Sequence, residues 1–281
     1  MKILVLGGDR RQKLLFELLE KENGRVSGAF SKAEYEKADS ISSFDVLILP
    51  VPCSKDGKTV FSSDETLKIE LETVSNHLKD GGVVFGGAFP SEFRLALEKK
   101  GARIFDFLEN ECFALYNAYL TAQGALRLLL ENTEEYVVSK RVLVTGFGRI
   151  SRALSRMLLS LGVDVYVAAR KERDLTEARA MGLKAIETRE LGSAVFLFDF
   201  IFNTVPSKLF SSSDVSKMKK NAVYFELASS PFGAQRGDFE KEKRSFVSGG
   251  ALPGKFCPVS CAEKMKLIIS DHINKSGDNI E

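Results

Sequence analysis

The residues with the most informative chemical spacing lie in Val142–Leu175. An apolar run ends in Gly146-Phe147-Gly148-Arg149-Ile150-Ser151, a G-x-G-x-x-G turn with serine in the third place, and a helical pattern follows. In such a turn Gly146 permits the sharp reversal after a strand. Gly148 lets the backbone approach a pyrophosphate, and the helix opening near Arg149 and Ile150 presents N–H groups to it. An ordinary tight strand-to-helix turn shares a lone G-x-G. Here the turn follows a strand, opens a helix and sits in a βαβ unit of suitable length, which favours dinucleotide binding.

The next apolar run ends in Arg170-Lys171-Glu172-Arg173, with no acid at the strand tip. An acid there would bond the ribose 2′-hydroxyl of NAD, whereas cationic groups suit a 2′-phosphate. The expected cofactor is therefore NADP rather than NAD, held by Arg170, Lys171 and Arg173. Its nicotinamide end is expected against two polar turns that follow later strands. These carry Asn203, Thr204 and Pro206 in "FNTVPS", and Ala228 and Ser229 in "FELASSPFG".

A second glycine turn, "VLGGDRRQ", joins the first strand to a helix without the G-x-G-x-x-G spacing. Cations at a helix N-terminus oppose the macrodipole, so an arginine there suggests an anionic ligand. Arg11, beside Asp9, is expected to clamp a carboxylate with two prongs. The first half of the chain would then bind a small acid and the second half the cofactor. Two histidines and four scattered cysteines argue against a zinc site. His77 and His272 are expected in surface or capping roles, and Cys257 and Cys261 in buried packing.

The elements that must place these residues alternate along 281 residues. Strands are expected at Ile3–Leu6, Val46–Leu49, Val83–Phe85 and Arg103–Phe105, with helices at Arg11–Lys21, Asp64–Leu78 and Pro90–Lys99. A second series has strands at Arg141–Thr145, Asp164–Ala168, Phe200–Asn203 and Ala222–Glu226, and a short one near Phe246–Val247. Ser211–Asp214 reads as a helix start. Such alternation implies two α/β domains with doubly wound parallel sheets, joined by long helices. The reading divides the chain into a substrate-side domain at 1–115, a dinucleotide-binding domain with its linking helix at 116–255, and a C-terminal helix at 256–281 that packs back on the first domain. Composition is that of a soluble globular protein, 44% hydrophobic and 28% charged with net charge +2. It gives no general attraction to nucleic acid or membrane. A cytoplasmic protein with reduced cysteines is expected.

Taken in order, these motifs resemble the family of the dipicolinate synthase A subunit over nearly the whole chain. "GGDRRQ", "LPVPCSKDGKTVF", "YNAYLTAQGAL", "GFGRISRALSRMLLSLGVDVYVAAR", "NTVPS", "LASSPFG" and "LPGKFCPVSCAE" each resemble a family segment. The chain departs from the family at Leu120 (proline there), Gln123 (glutamate), Ser151 (glycine), Glu226 (aspartate), Ser230 (arginine) and Phe232 (glycine), and in the segment around Cys257–Ala262. The resemblance implies a formate/glycerate-dehydrogenase-like architecture and NADP-linked oxidation of dihydrodipicolinate to dipicolinate. It also implies a B subunit of flavoprotein-like fold, and the mother-cell cytoplasm of a sporulating bacterium.

That chemistry needs a hydride acceptor, a carboxylate clamp and a proton sink. Asp9 and Arg11 are expected at the substrate, Asn117 and Thr121 on the linking helix facing the cleft, Gln123 in the glutamate's place, and Lys255 as a second carboxylate partner. A homo-oligomer is expected. Two other readings stay open: a dinucleotide-binding regulatory subunit with weakened chemistry, and a related dehydrogenase acting on another small acid, as alanine dehydrogenase does.

Overall fold

The computed structural model describes residues 1–22, 25–39 and 43–277. The chain forms two compact units, Met1–Tyr116 with Gly254–Glu281, and Asn117–Pro253.

In the first unit the chain runs β1 (Ile3–Leu6), α1 (Arg10–Glu20), β2 (Val26–Ala29), α2 (Lys32–Asp39), β3 (Phe44–Ile48), α3 (Leu71–Val74), β4 (Leu78–Gly86), α4 (Ser91–Lys99), β5 (Arg103–Asp106) and the start of α5 (Glu111–Glu131). All five strands are parallel, in the order β2-β1-β3-β4-β5. β1 is apolar throughout and wholly buried, as a central parallel strand covered on both faces must be. The order reverses between β1 and β3, which places a crevice at their carboxyl ends. Gly7 and Gly8 turn the chain there with φ of +63° and +84°, values that cost glycine little. Asp9 then caps α1, its Oδ1 accepting from the Arg11 N–H at 2.9 Å. The C-terminal helix α12 (Pro258–Gly277) belongs to this unit, packs along α1, and pairs Lys266 with Glu22.

The second unit follows α5 with β6 (Arg141–Thr145), α6 (Arg149–Ser160), β7 (Asp164–Ala169), α7 (Glu172–Ala180), β8 (Lys184–Glu187), α8 (Leu191–Ala194), β9 (Phe200–Asn203), α9 (Ser212–Lys217), β10 (Val223–Glu226), α10 (Arg236–Lys241), β11 (Ser245–Ser248) and the start of α11 (Leu252–Phe256). Its six strands are parallel, in the order β11-β10-β9-β6-β7-β8. Counted within the unit this is 6-5-4-1-2-3, the arrangement of dinucleotide-binding sheets, whose switch point lies between β6 and β9. Its core packs Leu143, Phe198, Ile201, Phe210, Tyr224 and Phe239.

One expected element is replaced. Residues 64–70 are not helical, and helix is confined to Leu71–Val74 and a single 3₁₀ turn at Ser75–His77. Asp64 accepts from the Thr66 amide and hydroxyl, which fixes a local turn in place of a helical one. Leu67, Ile69 and Leu71 are buried and alternate with exposed Lys68 and Glu70, an extended period of two. Strands β2 and β8, not legible in the sequence, are the outer neighbours of β1 and β7.

Candidate functional site

The dinucleotide turn stands at the switch point of the second unit. Gly146 has φ +83°, and a Cβ there would come within 2.7 Å of Val205 and 3.0 Å of the Thr204 hydroxyl. Both the turn and its packing therefore need glycine. Gly148 differs: its φ is −83°, and a Cβ would meet nothing within 4 Å. Internal structure does not require glycine at 148, and the backbone there is left bare. Gly148 caps α6 with no side-chain hydrogen bond, which leaves the helix's first turn to an anion. Arg149 and Ile150 open that helix, Arg149 exposed and Ile150 half-buried. Ser151, in the third-glycine place, is wholly buried, and its hydroxyl donates to the Gly146 carbonyl at 2.7 Å. The departure from glycine is thus absorbed by a bond across the turn.

A cleft of about 270 Å³ is lined by Gly146, Gly148, Ala168, Arg170, Lys171, Asp174 and Thr188, among others. Arg170 and Lys171 follow β7 at its carboxyl end, and Arg173 lies in the first turn of α7. All three cations are exposed, and among the described residues none forms an ion pair. Neighbouring cations do pair, Arg152 with Glu177 and Arg179 with Glu172.

The turns after β9 and β10 are tied to the glycine turn. Thr204 Oγ1 donates to the Thr145 carbonyl at 2.7 Å, and Thr145 Oγ1 donates to Asn203 Oδ1 at 2.6 Å. Asn203 has no exposed surface, and Pro206 is exposed beyond it. Ala228 is half-buried and Ser229 exposed in the turn after β10. Glu226, at the end of β10, is a residue of this region that sequence spacing does not mark as part of a site. It is 3% exposed. It accepts from Asn203 Nδ2 (2.7 Å), the Tyr224 hydroxyl (2.9 Å), and the amides of Ala228 (3.1 Å) and Gly233 (2.8 Å). Burial pushes its carboxyl above the usual range, and the four hydrogen bonds pull downward without reversing this. Its signals in the sequence are that an acid ends the apolar run Val-Tyr-Phe and that it stands where the resembled family has aspartate.

In the first unit the crevice holds Asp9 and Arg11. Arg11 is only 6% exposed. Its Nε donates to both Asp9 oxygens at 2.9 and 3.2 Å, and its Nη2 donates to Asp9 Oδ2 at 2.8 Å and the Val51 carbonyl at 2.7 Å. Arg11 therefore makes a two-pronged contact with Asp9 within the chain. Gly254 presses against the pair, where a Cβ would come within 2.4 Å of Asp9 Oδ2. Cys261 lies alongside; burial pushes its thiol up, partly offset by Arg11. Lys255 is exposed with its Nζ 4.8 Å from the Phe256 ring centroid.

On α5, Thr121 is buried and its hydroxyl donates to the Asn117 carbonyl at 2.8 Å. Asn117 Oδ1 is buried without a hydrogen-bond donor, and Gln123 is exposed. His77 is buried against Tyr35, with 2.8 Å between the phenol oxygen and Nε2, rather than at the surface. His272 packs edge-on to Phe85 and Phe105. Cys257 and Cys261 are both buried, and neither forms a disulfide among the described residues.

Comparison with known proteins agrees with this geometry. Residues 2–108 match the family model described as the N-terminal domain of the dipicolinate synthase A subunit, and residues 121–231 match the NAD-binding domain of D-isomer-specific 2-hydroxyacid dehydrogenases. The dipicolinate synthase A subunit of Bacillus subtilis (strain 168) is 27% identical over 285 residues, covering 96% of this chain and 95% of that one. The crystal structure of the A subunit from Bacillus halodurans superposes with a TM-score of 0.81 at 20% identity, covering 96% of both chains. That from Bacillus subtilis does so with 0.81 at 24% identity, covering 98% of this chain and 96% of that one. The chain is thus similar over nearly its whole length to the dipicolinate synthase A subunit, its first part matching the N-terminal family model of that subunit and its second the dehydrogenase NAD-binding model.

Proposed function

We propose that the chain is an NADP-dependent oxidoreductase subunit that converts dihydrodipicolinate to dipicolinate, working with a B subunit of flavoprotein-like fold. The observation that carries the cofactor choice is the set of three unpaired cations after β7, beside a glycine turn whose second glycine is left bare. The substrate choice rests on the match of the first domain to the dipicolinate synthase family.

The backbone at Gly148 and the first turn of α6 would hold the pyrophosphate, and Arg170, Lys171 and Arg173 the 2′-phosphate. Asn203, Thr204, Pro206, Ala228 and Ser229 would border the nicotinamide. When bound, the nicotinamide supplies the hydride acceptor. The ring that gives up the hydride also loses a proton and becomes aromatic, so positioning does more here than a strong base. Asp9 and Arg11 brace the first unit's crevice from within, and the exposed Lys255 is the cation assigned to a substrate carboxylate. Asn117 and Thr121, with Gln123, are the α5 residues assigned to the substrate. In a thermal-shift titration, NADP should raise the unfolding midpoint at lower concentration than NAD. Dipicolinate should raise it further when NADPH is present. No shift with either dinucleotide would overturn the assignment.

A further inference from the structure

Glu226 is a carboxylate taken almost wholly out of water. Such burial is costly unless every lone pair is met. Here each oxygen meets two donors: Oε1 the Asn203 amide and the Ala228 N–H, and Oε2 the Tyr224 hydroxyl and the Gly233 N–H. Asn203 cannot turn its amide over without loss, because its Oδ1 already accepts from Thr145 Oγ1 and from the Val205 N–H. Gly233 is held on all sides. A Cβ there would come within 2.5 Å of Asn203 Nδ2 and 2.6 Å of the Tyr224 oxygen, and its carbonyl accepts from the Leu209 and Phe210 amides at 2.8 and 3.0 Å. One side chain therefore joins β9, β10 and the turns after both.

The turn it fixes, residues 227–233, stands at the carboxyl ends of β10 and β9. In the strand order of this sheet those ends lie on the opposite side of the switch point from β7 and its cations. A dinucleotide laid across the switch point with its adenosine end on β7 directs its other end toward β9 and β10. We propose that Glu226 is a positioning residue for the nicotinamide half of the cofactor, acting through the turn that carries Ala228 and Ser229. The proposal rests on the dinucleotide reading above. A glutamine would fill the same space, but its NH₂ would face two N–H donors, or one N–H and the phenol, so an amide cannot reproduce the network.

The test compares the affinities of NADP and of adenosine 2′,5′-bisphosphate, which lacks the nicotinamide half, for the wild-type chain, Glu226→Gln and Tyr224→Phe. Unfolding midpoints are taken on the same samples. Glu226→Gln should weaken NADP about tenfold or more and leave the bisphosphate within about twofold, since only the turn after β10 is released. Tyr224→Phe, which removes one of the four donors, should show the same split more weakly, and it carries the test should Glu226→Gln not fold. Equal weakening of both ligands would make Glu226 a staple of the whole unit and overturn the proposal, as would unchanged affinity for both. Failure of the wild-type chain to bind either ligand would instead overturn the cofactor reading itself.

Discussion

At the scale of single residues, the informative contrast is between cations that are satisfied and cations that are not. Arg11 looks in the sequence like a substrate clamp, because a cation at a helix start is otherwise unexplained. The structure supplies the explanation: Asp9, two residues away, fills its fork, and the Val51 carbonyl takes another N–H. Spacing shows that the two are near each other, but not that Arg11 is buried against a half-buried Asp9. Arg11→Ala would leave the half-buried Asp9 carboxylate with only the residue-11 N–H, a change that costs about 1–3 kcal/mol. The first unit's unfolding midpoint should fall by several degrees while NADP affinity holds. An unchanged midpoint would contradict the structural role. Arg170 is the opposite case, exposed and unpaired. Arg170→Ala should weaken NADP about tenfold or more and NAD little, read as dissociation constants by calorimetry. Equal losses for both would remove the 2′-phosphate assignment. The cysteines separate in the same way. Cys112 is exposed, while Cys53 is buried with its thiol pushed up to about 12 by burial and by the Asp106 charge. A thiol reagent at neutral pH should modify Cys112 quickly and the other three only after unfolding. Rapid reaction at more than one site would show the buried cysteines to be accessible.

At the scale of elements, the central strands are legible in the sequence, as are the edge strands Arg103–Asp106 and Ser245–Ser248, whereas two other edge strands are not. Ile3–Leu6, Arg141–Thr145 and Phe200–Asn203 stand where the sequence placed them, because a strand covered on both faces is a continuous apolar run. The strands Val26–Ala29 and Lys184–Glu187 leave no such trace. Each is four residues long and only partly buried, so its pattern is polar and interrupted. Asp64–Leu78 misleads because its apolar residues fit a helical spacing as well as an alternating one, and the turn at Asp64 decides between them. The Glu226 network is hidden for a related reason: Asn203 is brought to the carboxylate from another strand, and the nearer partners Tyr224, Ala228 and Gly233 follow no spacing that a motif would mark. The two glycines of the dinucleotide turn also make different demands on their element. Gly148→Ala should leave stability within about 1 kcal/mol, since its φ and surroundings accept a Cβ, yet weaken NADP strongly. Gly146→Ala should destabilise the unit itself, because it combines positive φ with a collision against Val205. Equal unfolding midpoints for the two variants would contradict this division.

At the scale of the whole molecule, the chain forms two units, each built on a parallel sheet, as the alternation of elements along the sequence implies. The chain's ends belong to one unit, with Pro258–Gly277 packed along the first helix. Among the described residues no helix is long and apolar enough to cross a membrane. No group of three or more His, Cys, Asp or Glu among them is placed to hold a metal ion. The proposed activity is one of positioning, with a cofactor in the second unit and a small dicarboxylate braced by the first. The most direct test is turnover. The purified chain would be supplied with dihydrodipicolinate precursor generated in place, with NADP or NAD, and with or without a B subunit. Dipicolinate and reduced nicotinamide would be followed together by absorbance. The account predicts equal amounts of the two products, formed faster with NADP than with NAD. Dipicolinate appearing without nicotinamide reduction, or no product under any condition while NADP still binds, would contradict it.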